Sequence, residues 1–272
     1  DLYDVLVSVK LKICTGGIKM PYGVSYGIII ILVIIAFFLY SKRAAIFAYL
    51  GKGNYYRGDL EKGLAWFEKA YKTGRAKPPT IVSYAYLLLK SGKTEESEDV
   101  LNKLLRFPME HSNKMLAKSN LALVEWKKGN LDTAIEILEE VIKTYETTNV
   151  YGSLGFMLIQ KGDLDKALEF NLKAYDYNSS NAVILDNLGQ VYYLRGEYDK
   201  ATEIYEKLME QNPSFPDAYY NYAMLLKAKG EKEKALETVK KAQNYKLSFL
   251  STVKEENINA LINELENELG TN

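Results

Sequence analysis

The sequence predicts an all-α protein with one N-terminal transmembrane helix, an α-solenoid of about six helical hairpins and a C-terminal capping helix. A charge-free stretch of 22 residues lies between Lys19 and Lys42. After it, glycines and small residues recur at a period close to 34, which is typical of stacked helical hairpins that contact mainly their neighbours. A last amphipathic segment runs from Ser251 to Leu269.

Residues 1–19 precede this organisation. Apolar and polar residues alternate between Val5 and Ile13, as in a short strand, but no later segment offers a partner strand. Met20 is followed by Pro21 and a hydrophobic run, which is typical of a natural protein start. We therefore interpret residues 1–19 as a tail or an upstream extension, native or not, and Cys14 within it as a free thiol.

Residues 20–41 are predicted to form a transmembrane helix. Twenty-two helical residues span roughly 33 Å, enough for a hydrocarbon core of about 30 Å. The anchor is expected to place apolar side chains in the lipid, among them Ile28, Ile31, Ile35 and Phe38. The alternative is a cleaved signal peptide, but Ser41-Lys42-Arg43-Ala44 is a poor cleavage site.

The basic residues that follow this helix predict its orientation. One predicted span makes the chain a single-pass membrane protein. The basic residues just after the span are Lys42, Arg43, Lys52 and Arg57, so the positive-inside rule places the repeats in the cytoplasm. If residues 1–19 are native, their three lysines almost cancel this bias.

Six hairpins are predicted between residues 44 and 248, over 44–77, 78–113, 114–147, 148–181, 182–215 and 216–248. Each has a turn glycine, a small residue five positions later and another seven positions earlier, where two helices cross closely. The turn glycines are Gly58, Gly92, Gly129, Gly162, Gly196 and Gly230. The later small residues are Gly63, Ser97, Ala134, Ala167, Ala201 and Ala235, and the earlier ones are Gly51, Ala85, Ala122, Gly155, Gly189 and Ala223.

The clearest hairpin is NLGQVYYLRGEYDKATEIYEKLMEQNP, from Asn187 to Pro213. This pattern resembles the tetratricopeptide repeat, and the resemblance covers roughly residues 44–247. It implies a right-handed α-solenoid whose concave groove is lined by the first helix of each hairpin. The sequence departs from the family pattern at Asn171, where a large apolar residue is expected, and Pro213 is the only family-type closing proline.

The resemblance also indicates which residues face the groove. The predicted partner-binding residues are Tyr86, Asn120, Trp126, Ser153, Asn187, Gln190, Tyr193, Tyr220, Asn221 and Lys227, and Phe156 is a further candidate. Asn120, Asn187 and Asn221 share one register, so they are expected to form a ladder that bonds an extended peptide. The alternative is that these amides join neighbouring helices. The family's lysine clamp for a free C-terminus has no counterpart here.

The final helix is predicted over residues 251–269, with an apolar stripe on one face and an acidic, asparagine-rich outer face suited to ending a solenoid. Thr252 and Glu255 have the spacing of a capping box.

Composition argues against several function classes. The net charge is zero, and the chain after Arg57 is acidic, so it lacks the basic stripe that nucleic acids require. Its one histidine, His111, and one cysteine lie in no catalytic or metal-binding motif. We therefore expect no enzyme activity, no cofactor or metal, no nucleic acid and no small-molecule substrate.

The predicted function is a membrane-tethered scaffold or adaptor that binds a protein or peptide partner in the groove. Two alternatives remain open. The first is an outward-facing, chaperone-like or secretion-associated factor that binds clients. The second is a structural component that self-associates at the membrane.

Overall fold

The computed structural model describes residues 22–270, with side chains from Ile28 onward, and in this part it contains thirteen helices and no strand. The helices are α1 (Tyr22–Tyr56), α2 (Leu60–Lys72), α3 (Pro78–Lys90), α4 (Thr94–Leu105), α5 (His111–Lys127), α6 (Leu131–Ile142), α7 (Thr148–Lys161), α8 (Leu164–Tyr177), α9 (Ala182–Leu194), α10 (Tyr198–Met209), α11 (Pro216–Ala228), α12 (Lys232–Ala242) and α13 (Glu255–Leu269). The tail proposed for residues 1–19, with its alternating segment and Cys14, lies outside the described residues.

Helix α1 is one uninterrupted helix of 35 residues that serves two purposes. Its first half carries the apolar run, while its second half packs against α2 as the first helix of hairpin one. Gly51 of α1 and Gly63 of α2 are both buried at this crossing. A Cβ on Gly51 would lie 2.8 Å from the ring of Phe67, so the glycine allows the two helices to approach closely.

Each predicted hairpin turn has the backbone that its glycine suggests. Gly58, Gly92, Gly129, Gly162, Gly196 and Gly230 all have φ between 75° and 89°. L-residues avoid this left-handed region, whereas glycine enters it without steric cost. The repeated glycines are therefore explained by the turn between the two helices of each hairpin.

The small residues on either side of each turn are buried where the two helices cross. Glycine on the first helix faces an aromatic ring on the second in hairpins one and five, where Gly51 meets Phe67 and Gly189 meets Tyr205. In hairpin two, Ala85 occupies the glycine position, and the hydroxyl of Ser97 donates to the Ala85 carbonyl at 2.7 Å. A small residue on the first helix thus makes room for the side chain that faces it on the second helix.

Asn171 is the exception to this packing. It occupies the position of Tyr205 in its own hairpin and is fully buried. Its Nδ2 donates to the carbonyls of Gly155 and Ala167 at 3.2 and 2.9 Å. Its Oδ1 has no hydrogen-bond partner among the described residues, so hairpin four has an amide where hairpins one and five have a ring.

Hairpins stack in chain order to form the solenoid. First helices of successive hairpins contact each other: α3 contacts α5, and α9 contacts both α7 and α11. These helices form the inner row of the solenoid. Helix α13 packs against α12 and covers the last hairpin through Ile258, Leu261 and Leu265.

The segment between α12 and α13, residues 243–254, contacts hairpins two and three, and we call it the bridge. The Phe249 N–H donates to the Lys90 carbonyl at 3.4 Å, and its ring packs on Gly92. Lys127 lies 4.8 Å from the centroid of the same ring. Leu250 packs against the core of the N-terminal hairpins.

The bridge also explains why the expected capping box of Thr252 with Glu255 is wrong. The Oδ1 of Asp217 on α11 accepts from the backbone N–H and the hydroxyl of Thr252, at 2.8 and 2.7 Å. Helix α13 begins at Glu255 instead, and the side chain of Asn257 accepts from the Lys254 N–H at 2.9 Å.

Candidate partner-binding groove

The ten predicted groove residues lie on five of the six first helices, namely α3, α5, α7, α9 and α11. Nine of them are half-buried, as expected for side chains at the edge of helix packing, and Asn187 is buried. The inner row therefore presents side chains from five consecutive hairpins on a preformed scaffold.

The three asparagines of the predicted ladder differ in their bonding. Asn187 is 2% exposed, and its Nδ2 donates to the Gly152 carbonyl of the preceding first helix at 2.8 Å. Asn221 donates to both carboxylate oxygens of Asp186 at 3.2 and 3.3 Å. Asn120 donates to Leu116 in its own helix at 2.9 Å. The amides of Asn187 and Asn221 thus join neighbouring hairpins, which is the alternative the sequence left open.

Asp186 is a charged residue that the sequence reasoning did not single out. It is 8% exposed on α9, and burial raises the pKa of its carboxyl to about 7. The hydrogen bond from Asn221 acts in the opposite direction, while the nearby carboxylate of Asp217 raises this pKa further. A buried titratable group therefore lies at the contact between hairpins five and six, where Asn221 bonds it.

Two aromatic residues among the predicted groove residues contact each other between hairpins three and four. Trp126 and Phe156 meet edge to face, with ring centroids 5.1 Å apart. The Lys127 ammonium lies 4.3 Å from the centroid of the Trp126 ring, and it also contacts Phe249 of the bridge. Burial lowers the pKa of Lys127. Trp126, Phe156 and the bridge thus adjoin one another.

A second group of predicted groove residues lies on hairpins five and six. Tyr193 stacks on Tyr198 at 6.0 Å, and burial raises the pKa of both Tyr193 and Tyr220. Lys227 pairs with Glu264 of α13 at 2.5 Å, which holds the capping helix to the inner row.

Two of the predicted groove residues have free polar groups. Within the described chain, the Gln190 amide and the Ser153 hydroxyl make no side-chain hydrogen bond, and both side chains are half-buried. Such groups keep donors and acceptors for a ligand.

Tyr86 is the first of the predicted groove residues along the chain. Burial raises the pKa of its hydroxyl, and Tyr55 of α1 adds to the effect. The Nζ of Lys90 donates to the Tyr55 hydroxyl at 3.0 Å. These contacts connect the groove to the helix that carries the apolar run.

The predicted anchor residues are exposed in the structure. Ile28, Ile31, Ile35 and Phe38 lie in α1. The exposed large apolar side chains between Ile28 and Tyr40 have 42–72% of their surface accessible. The helix is long and apolar enough to cross a membrane, a property that signal sequences share.

No sequence pattern indicated a role for Phe249 or Asp217. Phe249 stands in a turn between two helices, and its contact with Lys90 joins residues 159 positions apart. Repeat periodicity describes contacts between neighbouring hairpins, so it contains no signal for a contact of this range.

Comparison with known proteins gives one family description. Three tetratricopeptide repeat profiles match residues 115–150, 146–214 and 192–247. A search of curated proteins found no match.

Solved structures resemble the fold. A tetratricopeptide repeat protein from Parabacteroides merdae is 18% identical over 82% of this chain and 84% of its own, with a TM-score of 0.64. A thermophilic relative from Thermus thermophilus is 23% identical over 67% of this chain and 98% of its own, with a TM-score of 0.57. A chain of the APC/C hetero-tetramer Cut9–Hcn1 is 14% identical over 82% of this chain and 43% of its own, with a TM-score of 0.66.

Proposed function

The chain belongs to the tetratricopeptide repeat family, and from this membership we propose that it is a membrane-tethered scaffold that binds a protein or peptide partner in its concave groove. Domains of this family bind protein partners, and Cut9 and Hcn1 form a hetero-tetramer. The tether is the exposed apolar half of α1, and the single-pass chain holds its repeats in the cytoplasm.

One observation carries the groove proposal: half-buried aromatic rings lie on each of the first helices α3, α5, α7, α9 and α11, and two free polar groups lie among them on α7 and α9. Trp126 and Tyr193 offer large apolar surface, which dominates the binding energy of protein interfaces. Gln190 and Ser153 offer unpaired hydrogen-bonding groups beside them. A groove formed by rigid helices also loses little conformational entropy when a peptide docks.

The bonding of the asparagines refines this proposal. Asn187 and Asn221 already bond the next hairpin, so they fix the spacing of the inner row. We assign direct partner contacts to Trp126, Gln190, Tyr193 and Tyr220, with Tyr86, Asn120, Ser153 and Lys227 at the edges.

A photo-crosslinking experiment tests the groove. A photoreactive amino acid is placed at position 190 of the full chain in native membranes, and at position 172 as the matched control. Leu172 is exposed on the second helix α8. We expect a discrete crosslinked protein from position 190 and none from position 172. Tyr193→Ala should then weaken the affinity of that purified protein at least about tenfold, or about 1.4 kcal/mol.

The control substitution for this affinity is Leu172→Ala, which removes an exposed apolar side chain outside the groove and should leave the affinity unchanged. The same crosslinked proteins from both positions, or equal affinity in Tyr193→Ala, would show that the groove is not the binding site.

A further inference from the structure

The end of hairpin one that adjoins the apolar run is strongly basic. We define the collar as Lys42, Arg43, Lys69, Lys72, Arg75 and Lys77. These residues come from α1, from the last turn of α2 and from the loop between α2 and α3. Because α2 runs antiparallel to α1, its C-terminal end and the following loop return to the level of Tyr40. The sequence contains no acidic residue over 41–58 or 69–80.

Two guanidinium groups show that the collar lies beside Tyr40 of α1. Arg43 lies with its Cζ 3.9 Å from the centroid of the Tyr40 ring, and Arg75, from the loop after α2, lies at 5.8 Å from the same ring. Tyr40 is the last aromatic residue of the exposed apolar run. Seven residues further along α1, the ring centroid of Phe47 lies 5.6 Å from that of Trp66 on α2, and the Lys69 ammonium lies 4.3 Å from the centroid of the Trp66 ring.

Tyrosine, tryptophan and long basic side chains at the end of an apolar helix are typical of the membrane–water interface. With the apolar half of α1 in the hydrocarbon core, the collar lies at the depth of the lipid phosphates. Glu68 neutralises one member, Lys72, at 2.5 Å. The other five have no ion-pair partner among the described residues.

We propose that the collar binds the headgroups of anionic phospholipids. Arginine forms paired hydrogen bonds with phosphate oxygens, and clustered cations beside a membrane helix are attracted to anionic lipid. Hairpin one then contacts the bilayer surface in addition to being joined to it. This inference rests on the proposed tether and adds a ligand class to it.

Native mass spectrometry of the full chain in neutral detergent tests the proposal. Phosphatidylglycerol and phosphatidylcholine are added in equal amounts, and the ratio of their adducts is measured. The wild-type chain is expected to favour phosphatidylglycerol. Arg75→Gln with Lys77→Gln should lower this preference by about fivefold for each charge removed, at low ionic strength.

The matched control removes two charges from the opposite end of the same hairpin, with Arg57→Gln and Lys62→Gln. These exposed residues bond Asn54 and Asp59 respectively. The control should keep the wild-type preference. An unchanged preference in the collar variant, or an equal loss in the control, would overturn the proposal. Displacement of phosphatidylglycerol by millimolar inorganic phosphate would overturn the lipid assignment in favour of free phosphate.

Two readouts separate this proposal from the function proposed above. Crosslinking from position 190 should persist in the collar variant, so a negative lipid result leaves partner binding in the groove intact. Release of the wild-type chain from membranes by alkaline carbonate would overturn the tether and the collar together.

Discussion

Asp186 shows how one buried carboxyl can make the stability of this solenoid depend on pH. Its pKa of about 7 in the folded chain lies above the ordinary value of 3.8. Between these two values the folded protein keeps a proton that the unfolded chain has released. Raising the pH through this window therefore favours unfolding, and the stability present below about pH 4 is lost as the pH passes 7.

We predict that Asp186→Asn removes this dependence. The free energy of unfolding of the wild type should fall between about pH 4 and pH 7, by at most about 4 kcal/mol. An asparagine keeps an acceptor for Asn221 but does not ionise, so the variant should be more stable than the wild type at pH 8. Urea unfolding in detergent at pH 5 and pH 8 measures the difference.

Asp199→Asn is the control for this experiment, because it removes an exposed carboxylate from α10. A wild-type profile that rises with pH over this window, or the same slope in Asp186→Asn as in the wild type, would contradict the assignment to Asp186.

At the residue scale, the sequence predicted the helix on which each asparagine lies but not the group to which its amide hydrogen-bonds. The period places Asn187 and Asn221 on the first helices, and both are there. It does not show that an amide reaches a neighbour 35 residues earlier, as Asn187 reaches Gly152 and Asn221 reaches Asp186. Bonds of this kind depend on the rotation of each helix by a few degrees, which no residue pattern specifies.

The crossing of two helices within a hairpin is the element-scale feature that determines stability. At Gly189, a Cβ would lie 2.7 Å from Cε2 of Tyr205. The Tyr205 ring is fully buried and stacks on Tyr222 at 5.4 Å, so it has little room to move. An added methyl group must therefore separate α9 from α10.

We predict that Gly189→Ala destabilises the chain by about 1 kcal/mol. Alanine gains up to about 1 kcal/mol over glycine inside a helix, and overpacking a tight core costs about 1–3 kcal/mol. The control is Gly53→Ala in α1, where nothing lies within 4 Å of the added Cβ. That variant should gain up to about 1 kcal/mol. Thermal unfolding of both variants measures the difference, and equal stability of the two would refute the packing argument.

The elements themselves were largely predictable, because the turn glycines and small residues repeat in one register. The sequence could also identify Asn171 as irregular, since its hairpin lacks the expected apolar residue. It could not predict how the irregular position is accommodated. Two backbone carbonyls of α7 and α8 accept from Asn171, and that depends on the close approach that Gly155 permits.

At the scale of the whole molecule, the orientation of α1 in the proposed membrane-tethered chain decides which compartment contains the proposed groove. We predict that a reporter active only in the cytoplasm gives a signal when fused after Asn272, because basic residues follow the apolar run. A second reporter, active only outside, should be silent at the same position. The opposite pair of signals would place the repeats outside and favour a client-binding role instead of the adaptor.

The overall shape followed from the period, but the bridge did not. Phe249 and Leu250 are apolar residues in a connecting segment, which alone indicate no partner. Their contact surface at Lys90 and Gly92 exists only once several hairpins have curved the solenoid. Curvature accumulates from small rotations between repeats, so it is a property of the assembled chain.

The bridge changes how this solenoid is expected to fold and stretch. A linear array unfolds by fraying from its ends, since each repeat depends on its neighbours alone. Here the contact of Phe249 with Lys90 and Lys127 links hairpins two and three to the segment after hairpin six. Loss of the last hairpin also removes contacts from the early ones, so the array gains long-range cooperativity. Under a pulling force, the solenoid should resist extension until the bridge detaches from hairpins two and three. It should then lengthen as a solenoid without such a contact does.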